Sequence, residues 1–268
     1  MIGRNFSGAL AAELWQTAHA LADAARPATL QHFRSQGLDI ESKNASHFDP
    51  VTAADRAAEA AIRSALARLR PDDAMLGEET GATAGTSGLS WIVDPIDGTR
   101  GYLSGTPTWG VLIALADAGG PMLGVIDQPY IGERFWGGLG EAACRGPHGL
   151  TRLATRPARS LDQAVLYTTF PEIGTPAERA AFERVRDRVR LTRYGMDCYA
   201  YALLAAGQID LVIEAGLQVY DIAAPLAVIE AAGGVVTDWR GRPAHAGGQV
   251  IAAANRQIHS DALALLNG

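Results

Sequence analysis

An apolar run that ends in two carboxylates three residues apart constrains this chain more than any other feature. The segment reads Trp91-Ile92-Val93-Asp94-Pro95-Ile96-Asp97-Gly98-Thr99-Arg100. A short apolar run bounded by Gly, Pro or Asp reads as a buried strand, so residues 89–93 predict a strand with Asp94 emerging at its tip. Pro95 fixes the backbone beyond it, Asp97 lies at the turn, and Gly98 permits an unusual conformation or a ligand's close approach. Two carboxylates this near repel one another unless one is protonated or a cation neutralises them. Oxygen-only donors suit Mg²⁺, which is held by a few carboxylates, waters and a substrate phosphate. Taken singly, either Asp reads as a turn or helix cap. The pair, with the acidic positions that follow, reads as a metal site.

Three further positions belong to that argument, and each has a plain structural reading. Glu78, in Gly77-Glu78-Glu79, lies before a loop and could bridge metal and water, although an acidic pair is usually solvated surface. Asp55 stands three residues after Thr52, the spacing of a helix capping box. Asp221 precedes a helix predicted from residue 222 and has the position of an N-cap.

The rest of the chain alternates helix and strand signals. Helices are expected over 8–33 (Leu10, Leu14, Ala18 and Leu21 on one face) and 53–69 (Ala58, Ile62, Ala65, Leu66 and Leu69), the second closed by Pro71. The Gly/Thr/Ser-rich stretch 81–88 reads as an exposed loop and a candidate lid beside Glu78. Strands are expected at 111–115, 122–126, 164–168, 209–213, 235–237 and 250–253. Helices are expected at 177–189, 197–206, 222–232 and 256–266, with Gly233-Gly234 stopping the third. This order suggests layered α/β or α+β packing. A soft boundary near 146–158 would divide a single unit into an N-terminal lobe of about 1–150 and a C-terminal lobe of about 151–268.

Composition narrows the function classes. The 268 residues are 48% hydrophobic and 19% charged, with a formal net charge of -6. That balance is globular, and it lacks the basic surface of a nucleic-acid binder. Cys144 and Cys198 form no CxxC pair, which argues against a disulfide scaffold or structural zinc and fits a reducing compartment. Residues 1–10 show no signal peptide and no stretch is long enough to cross a membrane, so a cytoplasmic protein is expected. The six histidines show no ligand spacing. Trp109 and Trp136 read as core or pocket wall, and Cys198 as a small buried apolar residue.

Several blocks, in this order, carry a resemblance over nearly the whole chain. They are Asp49-Pro50-Val51-Thr52-Ala53-Ala54-Asp55, Gly77-Glu78-Glu79-Thr80, Trp91 through Thr99, and Val219-Tyr220-Asp221-Ile222-Ala223-Ala224 followed by Glu230-Ala231-Ala232-Gly233-Gly234. The chain resembles the inositol monophosphatase family of lithium-sensitive, magnesium-dependent phosphatases. The resemblance implies a layered α/β/α/β/α sandwich and a homodimer. It implies two or three Mg²⁺ ions on Glu78, Asp94, the Ile96 carbonyl, Asp97, Asp55 and Asp221. Thr99 and Glu78 would orient and deprotonate the attacking water, with Asp55 also catalytic. The Gly98 and Thr99 amides would meet the phosphate, and transfer to water would be in-line without a covalent phosphoenzyme.

Within the family, other blocks look closer to the histidinol-phosphatase branch: Asp97 through Tyr102, Gly105-Thr106-Pro107-Thr108-Trp109-Gly110, Gln128-Pro129 with Glu133-Arg134, and Tyr194 through Tyr201. There Arg100 replaces the residue usual after Gly-Thr in inositol phosphatases, and Met196 departs from the branch's common Gly. Histidinol phosphate carries an ammonium and an imidazole, which Asp197 and Glu214 could pair with. Asp197 also has the position of an N-cap for the following helix. The implied activity is hydrolysis of the small metabolite L-histidinol phosphate in histidine biosynthesis. An inositol-1-phosphatase, an adenosine-bisphosphate 3′-nucleotidase and a regulatory binding protein on the same fold stand as alternatives.

Overall fold

Apolar runs that lack alternation demand sheets covered on both faces, and the chain builds two of them. The computed structural model describes residues 8–35, 40–44 and 47–268, with the backbone alone for 40–44 and 47–52. The first part comprises α1 (Gly8–His32), β1 (Ile40–Asn44), β2 (His47–Thr52), α2 (Ala53–Leu69), β3 (Ala74–Gly77), β4 (Gly81–Thr83), β5 (Ser90–Asp97) and α3 (Thr99–Ser104). A meander follows: β6 (Gly110–Asp117), β7 (Gly120–Gln128), β8 (Glu133–Gly138), β9 (Glu141–Gly146) and β10 (Gly149–Arg152). The remainder runs β11 (Val165–Thr168), α4 (Pro176–Arg186), β12 (Leu191–Tyr194), α5 (Asp197–Ala205), β13 (Leu211–Leu217), α6 (Val219–Ala231), β14 (Val235–Thr237), β15 (Gly248–Ala253) and α7 (Arg256–Asn267).

Eight strands order as β10-β9-β8-β7-β6-β5-β3-β4 and five as β12-β11-β13-β15-β14. Successive side chains of one strand enter different cores, as the period of two requires. On β6, Val111, Ile113 and Leu115 pack with α1 and α2, while Leu112, Ala114 and Ala116 pack with α5 and α6. On β15, Val250 and Ala252 join the α5–α6 layer, and Ile251 and Ala253 meet α4 and α7. The layers are therefore α1–α2, the large sheet, α5–α6, the small sheet and α4–α7, the expected α/β/α/β/α sandwich.

The central helix α6 is buried from Ile222 to Ile229. Two glycines let it lie against the large sheet. Gly124 and Gly137 pair across β7 and β8, and a Cβ on either would strike backbone atoms of Ala224 or Val228. Close approach at this point needs glycine.

Some sequence expectations change. Residues 81–88 are not wholly loop, because β4 pairs antiparallel with β3 and Arg63 on α2 donates to Thr83 Oγ1 at 2.8 Å. The helix expected over 177–189 ends at Arg186, with Asp187 as its C-cap. The strand expected at 209–213 shifts to 211–217. β3, β8, β9, β10 and β12, together with α3, carried no strong apolar signal. The leader expectation for residues 1–10 and the Thr52 capping geometry fall largely outside the described residues and side chains. Among the described residues no helix is long and apolar enough to cross a membrane.

Candidate active site

The two aspartates of β5 do not follow a regular strand. Asp94 registers with Leu112 and Asp97 with Gly110, so β5 spends three residues where β6 spends two. This bulge holds Pro95, whose missing N–H removes nothing from the ladder there. Strand β5 thus continues through Asp97 rather than ending at Asp94. The Asp94 Oδ1 accepts the Ile96 amide at 3.0 Å, and the Thr99 hydroxyl donates to the Ile96 carbonyl at 3.2 Å. Gly98 follows with φ 87, and a Cβ there would lie 2.8 Å from the Asp197 Cγ. Both the left-handed backbone and the space require glycine.

Asp221 comes from the other side of the molecule, at the start of α6. It is the third residue of the helix rather than its N-cap. Gln218 holds the N-cap position, and its amide donates to Asp221 Oδ2 at 2.6 Å. Single carboxylate oxygens of Asp94, Asp97 and Asp221 lie within 4.8 Å of one another. Glu78 leaves the end of β3, its amide donating to the Val93 carbonyl at 3.2 Å. Asp55 lies buried in the first turn of α2. Neither belongs to the tight triad, yet both charges reach it. Burial first, then Glu78, Asp97, Asp221 and Asp55 push the Asp94 carboxyl well above the usual carboxylate range. Burial, Asp197 and Asp221 raise Asp97 likewise, against the Cys198 amide that donates to its Oδ2 at 2.6 Å. The donor set is all oxygen and mutually repulsive, which fits a hard divalent cation.

A cavity of about 240 Å³ adjoins the triad, with Asp97, Asp197, Tyr201, Glu214 and Asp221 in its wall. It shares Phe170, Glu214, Ala215 and Gly216 with a wider cleft of about 670 Å³ that Arg100 also lines. Asp197 is the first residue of α5, not its N-cap, which is Met196. Its φ of 46 is left-handed, a conformation Asp tolerates better than most residues. Burial raises its pKa, while Thr108 and the Arg100 charge oppose the rise. The Arg100 guanidinium stacks 4.7 Å over the Phe170 ring. Glu214 reaches the cavity with both oxygens engaged. Its Oε2 accepts the Thr168 hydroxyl at 3.1 Å, and its Oε1 accepts the Thr169 amide at 2.6 Å and hydroxyl at 2.9 Å. Burial nevertheless lifts its pKa to about 7.

Sequence reasoning missed Tyr201. Its hydroxyl is buried beside this acidic wall with no hydrogen-bond partner among the described residues. The i,i+4 spacing from Asp197 along α5 would have placed both on one helix face. Phe170 had no signal, since it lies beyond a strand end with no pattern around it. Two of the histidines behave as packing groups: His19 stacks against Trp15 and meets Trp136 edge-on, and His259 bonds the Thr237 hydroxyl.

Comparison with known proteins agrees with this geometry. The inositol monophosphatase family profile matches residues 11–267. The chloroplastic bifunctional phosphatase IMPL2 of Arabidopsis thaliana is 42% identical over 256 residues, 91% of this chain and 72% of that protein. A histidinol-phosphatase of Streptomyces coelicolor is 38% identical over 258 residues, 93% of this chain and 95% of that one. An inositol monophosphatase structure from Zymomonas mobilis superposes with a TM-score of 0.85 at 37% identity, covering 98% of this chain and all of that chain (100%). With the layered fold and the carboxylate cluster, these matches make the chain a member of the inositol monophosphatase family, a phosphatase acting on phosphomonoesters.

Proposed function

We propose that the chain hydrolyses L-histidinol phosphate with Mg²⁺. The observation that carries this reading is the acidic wall of the cavity beyond the triad, where Asp197 and Glu214 face the space an organic group would fill. A cationic leaving group suits that wall, and a neutral polyol brings no positive charge to it. The similarity to a histidinol-phosphatase over most of both chains supports the same choice. One observation favours an inositol phosphate instead: Glu214 is engaged by Thr168 and Thr169 and has a pKa near 7, so much of its charge is muted at neutral pH.

Asp94, Asp97, Asp221, Glu78 and the Ile96 carbonyl, with Asp55 beside them, form the oxygen set that would hold two or three Mg²⁺ ions. When bound, Mg²⁺ supplies charge neutralisation for the phosphate and acidifies water. Glu78 and Thr99 orient the attacking water and take its proton, with Asp55 supporting them electrostatically. The Gly98 and Thr99 amides receive phosphate oxygens, and Arg100, Asp197 and Glu214 hold the organic end. Catalysis of phosphoryl transfer rests almost entirely on such positioning together with electrostatic stabilisation of the transferring group.

The test is phosphate release with Mg²⁺ from L-histidinol phosphate, inositol-1-phosphate and adenosine 3′,5′-bisphosphate, measured side by side. A clear kcat/KM preference for histidinol phosphate is expected. Preference for either other ester keeps the phosphatase and removes this substrate.

A further inference from the structure

Behind Glu78, on α2, lies a carboxylate that the sequence reading did not single out. Glu59 is 0% exposed. Its Oε2 accepts the Glu79 amide at 2.7 Å, and its Oε1 accepts the Thr80 amide at 3.1 Å as well as the Thr80 hydroxyl. One turn along the helix, Arg63 donates Nε to the same carboxylate at 2.8 Å and reaches on to the Gly81 carbonyl and the Thr83 hydroxyl. On the other side of Glu78, a Cβ on Gly77 would overlap the Glu59 carboxyl, so that group presses directly on the Gly77 backbone. Glu78 itself donates its amide to Val93, the residue before Asp94. The backbone carrying Glu78 is thus tied to β5 by its own amide and to α2 by the two amides that follow.

We propose that Glu59 is the positioning residue of Glu78, clamping the 77–80 turn so that the Glu78 carboxylate stays aimed at the β5 aspartates. The inference rests on the reading of Glu78 as a metal ligand. Burying a carboxylate in this position is expensive unless donors satisfy it, and an apolar side chain would join helix to hairpin more simply. Two consecutive amides on one carboxylate fix the orientation of the peptide planes next to the ligand. Groups that orient ligands in this way tune metal affinity without touching the metal. Burial alone would raise the Glu59 pKa, but Thr80, the Glu79 amide and Arg63 outweigh it and hold the group below the ordinary range.

The test uses Mn²⁺ as the probe, titrated by electron paramagnetic resonance without substrate, alongside kcat, KM and the unfolding temperature. Glu59→Gln should weaken Mn²⁺ binding roughly tenfold or more, as loss of a ligand-orienting group does. Its kcat should fall while KM for the ester hydrolysed best by the wild type stays within about twofold. Thr80→Ala, which removes a single donor and leaves the fold intact, should weaken binding about two- to threefold. Because Glu59 acts through Glu78, Glu59→Gln combined with Glu78→Gln should bind no more weakly than Glu78→Gln alone. Asp210→Asn, at a buried carboxylate paired with Arg156 beside the small sheet, should lower the unfolding temperature and keep Mn²⁺ affinity. Wild-type affinity in Glu59→Gln, or losses that multiply in the double variant, overturns the inference while leaving the metal centre standing. A wild-type protein that binds no Mn²⁺ removes the metal reading and the inference together.

Discussion

Asp94 on β5 and Asp127 on β7 belong to the same sheet, and both are withdrawn from solvent, at 2% and 0% exposure. Their surroundings treat the charge in opposite ways. Asp127 accepts Arg26 Nε and Nη2 at 2.9 Å each and Arg134 Nε at 2.6 Å. Arg134 also holds Asp23 on α1 at 2.7 Å, so the network fastens that helix to β7 and β8. Asp94 has no Arg or Lys partner among the described residues. The charges around it are Glu78, Asp97, Asp221 and Asp55. Asp73 with Arg70 and Asp210 with Arg156 follow the Asp127 pattern. A buried carboxylate closed by guanidinium serves the fold, whereas one set among other carboxylates needs a proton or a cation from outside the chain to relieve the repulsion.

The contrast can be broken at either end. If Asp94 holds metal as proposed, Asp94→Asn should lower kcat/KM by roughly a thousandfold or more. The same change should leave the unfolding temperature in EDTA equal or higher, because it removes repulsion among buried acids. A lowered temperature in EDTA would place Asp94 with the structural carboxylates. Asp127→Asn should do the reverse, destabilising the protein by about 3–5 kcal/mol as breaking a buried pair does, with kcat of the folded enzyme unchanged. Denaturant unfolding and single-substrate kinetics on both variants decide the matter.

The smallest effect expected concerns Glu214, which lies between the two classes because threonines rather than arginines satisfy it. Its pKa rises from 4.5 to about 7 in the folded state. The folded protein holds that proton more tightly than the unfolded chain. The group's contribution is therefore fully present below pH 4.5 and is lost as pH rises through about 7. This amounts to about 3 kcal/mol. Glu214→Gln should flatten that part of the metal-free stability profile between pH 5 and 8, measured by denaturant unfolding. An unchanged slope would show that Glu214 does not hold a proton there.

The layers and the β5 carboxylates were legible because their signals are local. A continuous apolar run such as residues 111–115 admits few surroundings other than a sheet covered on both faces. An aspartate on each side of a proline at a strand end announces itself over four residues. The edge strands β10 and β12 were not legible, since each lies against one neighbour and has exposed positions along it. Helix caps misled for a related reason. Asp197 and Asp221 have the residue type of an N-cap, but Met196 and Gln218 occupy those positions once the chain direction into each helix is set by packing.

Residue order alone determined the acidic identity of the site, the alternation of elements and the resemblance of whole blocks, because those properties reside in side-chain type and spacing. Which carboxylates meet was decided by the tertiary structure. Asp94 and Asp221 are 127 positions apart in number, and only the packing of α6 against β7 and β8, allowed by Gly124 and Gly137, carries the start of that helix to the end of β5. Which buried acids are closed by arginine and which are left facing one another is likewise a matter of distance in space. Asp127 and Asp94 have the same side chain, and a guanidinium within 3 Å of one of them is the physical difference.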